Sequence, residues 1–283
     1  MQIRRLGLAA VPLIGLIAPA WAGNLVVNGD FSQSTVSYTG TGTNFYSPGN
    51  SFELGTYGIS GESGTYSGAL TGWTSYGENS TPYALWYNNA TATTVTALSQ
   101  YDNVTNAKLG GNEVFRAVPT ANAPGGFVAL DGGLGNGNGG VTSGLEQAIS
   151  VTAGTVYQLT FNWAAAQLVT GNGNFNVNLY FGLGTSPTLN THSASFVTSC
   201  ANGTNCLAQG ATSPWLTETA YFEAATTGTE YLSFFSVGGA GNPPMTLLDD
   251  VSLVDAPEPG SVALVLAGVA GLAFAQRRRA RKG

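Results

Sequence analysis

Positive charge is what the middle of this sequence lacks. Of nine Lys and Arg residues, Arg4 and Arg5 stand at the start, Arg277, Arg278, Arg279, Arg281 and Lys282 stand at the end, and only Lys108 and Arg116 lie between. All fifteen Asp and Glu fall within residues 23–259. Two bases against fifteen acids exclude nucleic-acid binding through phosphates, which needs clustered Lys or Arg. Histidine is scarcer still. His192 stands alone, in a Thr/Ser-rich stretch that reads as a loop or edge strand, and any Ser-His-Asp triad would have to use it. No His-Glu-x-x-His, Gly-x-Ser-x-Gly or P-loop pattern occurs. The Gly-rich stretch 132–140 formally matches a dinucleotide fingerprint, but no helix pattern follows it, so it reads as a loop. Fifteen acids leave a glycosidase open, since that chemistry needs only two carboxylates at a suitable separation.

Cysteine is nearly absent. Cys200 and Cys206 enclose five residues. In an oxidising compartment the pair is expected to form a disulfide that stiffens a loop without holding the fold together; a role as metal ligands is the alternative.

Long apolar runs are confined to the two ends. Arg4 and Arg5 precede an apolar run from Leu6 to Pro19 and the small-residue site Ala20-Trp21-Ala22, the pattern of a secretory signal peptide over residues 1–22. The C-terminus reads Pro257-Glu258-Pro259, then an uncharged run over 260–275, then a basic tail over 276–283. Sixteen helical residues rise only about 24 Å, short of a bilayer core of about 30 Å, and the arginines that follow extend the reach by snorkelling. Positive charge at both extremes predicts both ends in the cytoplasm and the middle outside.

This tail resembles the PEP-CTERM signal, with Pro257, Glu258, Pro259, Arg277, Arg278 and Arg279 as its motif residues. The resemblance implies an exosortase as processing partner, a transient membrane anchor over 260–275, and delivery to the surface or matrix of a Gram-negative bacterium that makes exopolysaccharide. It also implies a role in biofilm. An ordinary C-terminal anchor is the plainer alternative.

Between the ends, over 23–254, short β-like runs alternate with Gly-rich turns and no long 3.6-residue period appears. The pattern predicts an all-β jelly-roll sandwich. Tyr157, Leu159, Phe161 and Trp163 alternate with polar residues on one expected strand, and Phe175, Val177, Leu179 and Phe181 on another. Leu145–Val151 reads as a strand carrying Gln147, whose expected role is a hydrogen bond to neighbouring backbone. Residues 33–68 read as loop or irregular edge strands. The opening Asn24-Leu25-Val26-Val27-Asn28-Gly29-Asp30-Phe31, with Gly72-Trp73 and the closing 247–253 run, is similar to galactose-binding-like sandwiches that include carbohydrate-binding modules. Ser32 stands where that pattern has Glu.

Two candidate sites follow. Strand alternation places Asp249 on one face with Leu247, Val251 and Leu253, and a buried carboxylate with few bases to pair it calls for a cation. The resemblance implies a structural calcium held by Asp249 and Asp30; both acids standing in water at a strand end is the alternative. Tyr76, Tyr83 and Tyr87, in an aromatic cluster with Trp73 and Trp86, are candidates for stacking on sugar rings, while Trp73 and Trp86 are expected in the core. The function expected is a non-catalytic, exported, glycan-associated surface protein. The alternatives are a polysaccharide-active glycosidase or lyase and a purely structural surface protein.

Overall fold

The computed structural model describes residues 23–40, 51–58, 64–76, 84–88, 100–101, 108–109, 125–131, 144–167, 177–186, 192–196, 207, 210–237, 244–256, 268 and 271. Its strands run in chain order as β1 (Ser34–Gly40), β2 (Ser51–Glu53), β3 (Gly55–Gly58), β4 (Gly64–Leu70), β5 (Thr74–Tyr76), β6 (Ala84–Asn88), β7 (Gln100–Tyr101) and β8 (Lys108–Leu109). They continue as β9 (Gly126–Asp131), β10 (Gly144–Val151), β11 (Val156–Gln167), β12 (Val177–Gly184), β13 (His192–Phe196), β14 (Leu216–Glu223), β15 (Gly228–Val237) and β16 (Pro244–Asp255).

Two antiparallel sheets form the body: β13-β12-β15-β10-β5 and β14-β11-β16-β9-β6-β2. Alternation decides which side chains meet between them. Tyr157, Leu159, Phe161 and Trp163 of β11 enter the shared core with Val177, Leu179 and Phe181 of β12 and Leu232 and Phe234 of β15. Phe161 meets the rings of Phe181 and Phe234 edge-on, with centroids 4.9 and 5.1 Å away. The expected all-β sandwich is therefore present, built on the strands whose alternation is strongest. A smaller sheet, β1-β4-β3, contains seven paired positions from Ser34↔Leu70 to Gly40↔Gly64. The low-periodicity stretch before Ala69 is thus more regular than its pattern predicts, because backbone pairing does not require alternating burial.

The six-stranded sheet is buried on both faces over β9, β6 and the adjoining parts of β11 and β16. Ala84, Trp86, Val128, Leu130, Trp163, Ala165 and Leu248 point into the sandwich. Their neighbours Leu85, Tyr87, Phe127, Ala129, Ala164, Ala166, Met245 and Leu247 form a second core on the opposite side, with Trp215 packed against it.

The chain's opening segment closes the structure beside β16. Leu25 N–H donates to Leu253 C=O (2.8 Å) and Val251 N–H to Gly29 C=O (2.9 Å), while Asn24 Oδ1 accepts from Leu253 N–H (2.9 Å). Gln147 fixes it from the other sheet: its Oε1 accepts from Val27 N–H (2.7 Å) and its Nε2 donates to Val27 C=O (2.9 Å). The expected backbone role of Gln147 is the one it plays. Gly29 is required because a Cβ there would occupy the Val251 carbonyl.

Residues 1–22 lie outside the described residues, as do Tyr83, Cys200, Cys206 and most of 257–283, where Gly268 and Gly271 alone are described, both helical. Among the described residues no helix is long and apolar enough to cross a membrane.

Candidate functional site

The three non-glycine residues with positive φ among those described, Asn28 (54°), Phe31 (49°) and Asp250 (51°), gather where the opening segment meets β16. Such backbone persists where surrounding contacts over-determine it. Asn28 Nδ2 donates to the carbonyls of Gln33 and Thr71. Its own carbonyl accepts from Trp73 Nε1 (3.1 Å). The Phe31 carbonyl accepts from Trp86 Nε1 (2.8 Å). Both indoles are buried, as expected.

Asp250 is a bulge residue. Thr160 pairs with Ser252 and Asn162 with Asp249, so Phe161 faces two residues of β16. The extra residue breaks the alternation. Leu248 lies on the sandwich side before it and Val251 and Leu253 on the same side after it, whereas Leu247 lies in the second core. The expected common face of Leu247, Asp249, Val251 and Leu253 is therefore corrected. Asp249 shares the face of Leu247, opposite the sandwich interior.

Asp249 is buried even so, with 1% of its surface exposed. Burial pushes its carboxyl up to about 8, the negative charges of Asp250 and Asp30 add to the shift, and the bond from Asp250 N–H opposes it. That bond is 2.7 Å long. Asp30 and Asp249, far apart in sequence, thus act on one another. Their neighbours are partly committed: Asp250 Oδ2 accepts from Asn162 Nδ2 (2.9 Å), and Asp30 Oδ1 accepts from the Ser32 hydroxyl (3.0 Å) and N–H (3.3 Å). Ser32, at the expected Glu position, therefore serves the turn itself. Asp249 thus feels two other acids, Asp250 and Asp30, and carboxylates are donor chemistry for a hard cation. Among the described residues, however, no three or more His, Cys, Asp or Glu side chains converge to enclose a metal ion.

The aromatic candidates separate. Tyr87 has no exposed surface and stacks on Phe127 in the second core (5.2 Å, 12°). Its expected exposure is corrected, because the far side of the six-stranded sheet is buried too. Tyr76 pairs with Gly144 on β10, and Tyr83 lies outside the described residues.

A different group stands on the outer face of the five-stranded sheet. There Glu146 of β10, Ser233 of β15 and Gly182 of β12 form one cross-strand row. Tyr180 and Phe235 form the next row on one side, their rings stacked at 5.3 Å and 12°. Tyr231, between Gly184 and Ala148, forms the next on the other side. At about 3.4 Å per residue the two ring rows are about 14 Å apart. On the small-residue floor between them, Glu146 Oε2 and Ser233 Oγ are buried with no hydrogen-bond partner, and burial raises the Glu146 carboxyl above its ordinary value. Sequence pattern could not find this row, since its acid and hydroxyl are brought together only by the pairing of β10 with β15.

Residues 255–279 match the PEP-CTERM protein-sorting pattern, beginning at the last residue of β16. The tail is a PEP-CTERM sorting motif. A PEP-CTERM tail implies processing by an exosortase and marks an exported, transiently membrane-anchored, cell-surface chain. The folded part is similar to the first cleaved adhesin domain of Lys-gingipain from Porphyromonas gingivalis W83, at 15% identity over 67% of this chain and 94% of that one, with a TM-score of 0.36. It is also similar to TmCBM61, solved with β-1,4-galactotriose, at 13% identity, 66% and 92% coverage and a TM-score of 0.32. The N-terminal cellulose-binding domain of β-1,4-glucanase C from Cellulomonas fimi shares 21% identity over 41% of this chain and 70% of that one, with a TM-score of 0.25. No curated protein matches the chain.

Proposed function

We propose that this chain is a non-catalytic, glycan-binding surface protein, carried by its PEP-CTERM tail to the envelope or exopolysaccharide matrix of a Gram-negative, biofilm-forming bacterium. The observation that carries the binding reading is the pair of buried, unpartnered oxygens, Glu146 Oε2 and Ser233 Oγ, between aromatic rows. An unmet buried polar atom costs about 1–3 kcal/mol; the part-exposed Tyr180, Phe235 and Tyr231 supply faces for stacking, and a sugar hydroxyl gives each oxygen its missing partner once the side chains covering it turn aside. Glu146 is the one carboxylate among the described residues on this face. Glycoside hydrolysis uses two, so the face favours capture over turnover.

The bridge between the opening segment and β16 is proposed to take calcium through Asp249 and Asp30, where the ion would supply the positive charge that this acidic region lacks. A disulfide between Cys200 and Cys206 remains part of this proposal.

Pull-down of the protein on exopolysaccharide extracted from its host tests the binding reading. Ser233→Ala and Tyr231→Ala are each expected to weaken retention at least tenfold. Ser233→Ala should leave the melting temperature unchanged or raised, because it removes an unsatisfied hydroxyl. Retention unaffected by either change would overturn the proposed site. Loss of polysaccharide chain length on incubation with the protein would favour an enzyme instead.

A further inference from the structure

We infer that the open edge of β14 is a self-pairing edge, on which a second copy of this chain lays its own β14 antiparallel and joins the two six-stranded sheets into one. β14 is an end strand of its sheet, and its pairing fixes which backbone groups are already used. Ala224, just past the strand, bonds towards the β11 side through both of its groups: its N–H donates to the Thr155 carbonyl (3.1 Å) and its C=O accepts from Gly154 N–H (2.9 Å). Backbone groups alternate in direction along an antiparallel ladder. Phe222, Ala220 and Glu218 therefore face β11, while Glu223, Tyr221, Thr219 and Thr217 turn their N–H and C=O outward. All four outward residues are exposed, and no described residue bonds to those outward groups.

A long open edge templates pairing with another chain, and domains that stay single shorten or guard theirs. The other end strands of the two large sheets, β2, β5 and β13, have three, three and five residues, against eight in β14. β14 also lacks the usual guards. It has no Lys, Arg or Pro, and its register with β11 runs without a bulge from Val156↔Glu223 to Trp163↔Leu216. Its polar side chains lean back over the sheet and leave the edge clear: Thr217 Oγ1 donates to Asn162 Oδ1 (2.8 Å) and the Tyr221 hydroxyl accepts from Gln158 Nε2 (3.3 Å). The strand's own sequence favours a second copy as the occupant. A two-fold axis at Ala220 brings all four outward residues into hydrogen-bonded pairs, Thr217 opposite Glu223 and Thr219 opposite Tyr221, each pair formed twice. In that register Glu218 meets Phe222 and Ala220 meets Ala220, so no like charges are opposed. An axis at Glu218 would oppose two carboxylates, and one at Thr219 or Tyr221 would leave one of the four outward residues without a partner in the strand.

The test is amide hydrogen exchange of the full chain in detergent micelles, read residue by residue as protein concentration is raised, with sedimentation velocity on the same samples. A dimer is expected to form. The amides of Thr217, Thr219, Tyr221 and Glu223 are expected to slow by about tenfold or more, while those of Glu218, Ala220 and Phe222, already bonded to β11, change little. Thr219→Pro removes a donor that the single chain does not use and that the pairing needs, so it should weaken the dimer by about tenfold or more. Where the proline ring unfolds the strand, Thr219→Lys places a guarding charge on the edge instead, with the same loss expected. A monomer at every concentration would overturn the inference. So would a dimer whose outward amides exchange as fast as before, or one that survives both substitutions, because association would then lie elsewhere, the tail included. Slowing of these amides only when another surface protein is added would give the edge to that partner and overturn self-pairing.

Discussion

Asp249 shows how a single side chain can carry the polar design of an acidic domain. Its carboxyl sits at about 8 in the folded protein against 3.8 as a free side chain. An acid whose folded value is raised takes up a proton on folding between those two pH values, so the contribution of Asp249 to stability is fully present below about pH 4 and is lost as pH rises towards 8. In chelator, the melting temperature should decline steadily from pH 5 to pH 8.5, and millimolar calcium should abolish the decline by replacing the proton. Asp249→Asn, which keeps the acceptor for Asp250 N–H, should flatten the pH profile and remove the response to calcium. Identical melting curves with and without chelator would rule the ion out. The scarcity of bases made this residue legible in the sequence. Its face was not, because a bulge with Asp250 in left-handed backbone leaves no mark on a pattern read two residues at a time.

At the scale of elements, the opening segment behaves as a strap across both sheets. Gln147 meets both backbone polar groups of Val27 across 120 residues of sequence. Gln147→Ala should destabilise the domain by about 1–3 kcal/mol, since two part-buried backbone groups lose their partners, and chemical denaturation would measure it. Gly29→Ala should cost more, about 3 kcal/mol or beyond, because its Cβ meets backbone that cannot turn aside. Strands such as β11 and β12 were visible from alternation alone. The pairing of β1 with β4 was not, since Ser-, Gly- and Tyr-rich segments give backbone ladders no apolar period to announce them. Tyr87 was misplaced for a related reason. One buried face of a sheet can be read from alternation, but a second buried face makes neighbouring residues look alike.

The molecule as a whole is a folded domain with an address attached directly to its last strand. The PEP-CTERM motif starts where β16 ends, so sorting and folding share residues 255–256. The address was the most legible part of the sequence, because spacer, apolar run and arginine cluster are contiguous. The proposed glycan-binding row was the least legible, because Glu146 and Ser233 meet only through sheet order, which no local signal encodes. The central claim is that the tail is a removable sorting signal, and the intact mass of the protein recovered from the cell surface tests it most directly. The account predicts a mature chain lacking Arg277–Lys282, with accumulation of unprocessed precursor when Arg277, Arg278 and Arg279 are changed to Gln. Surface protein that retains its full C-terminus, or maturation indifferent to those three changes, would contradict it.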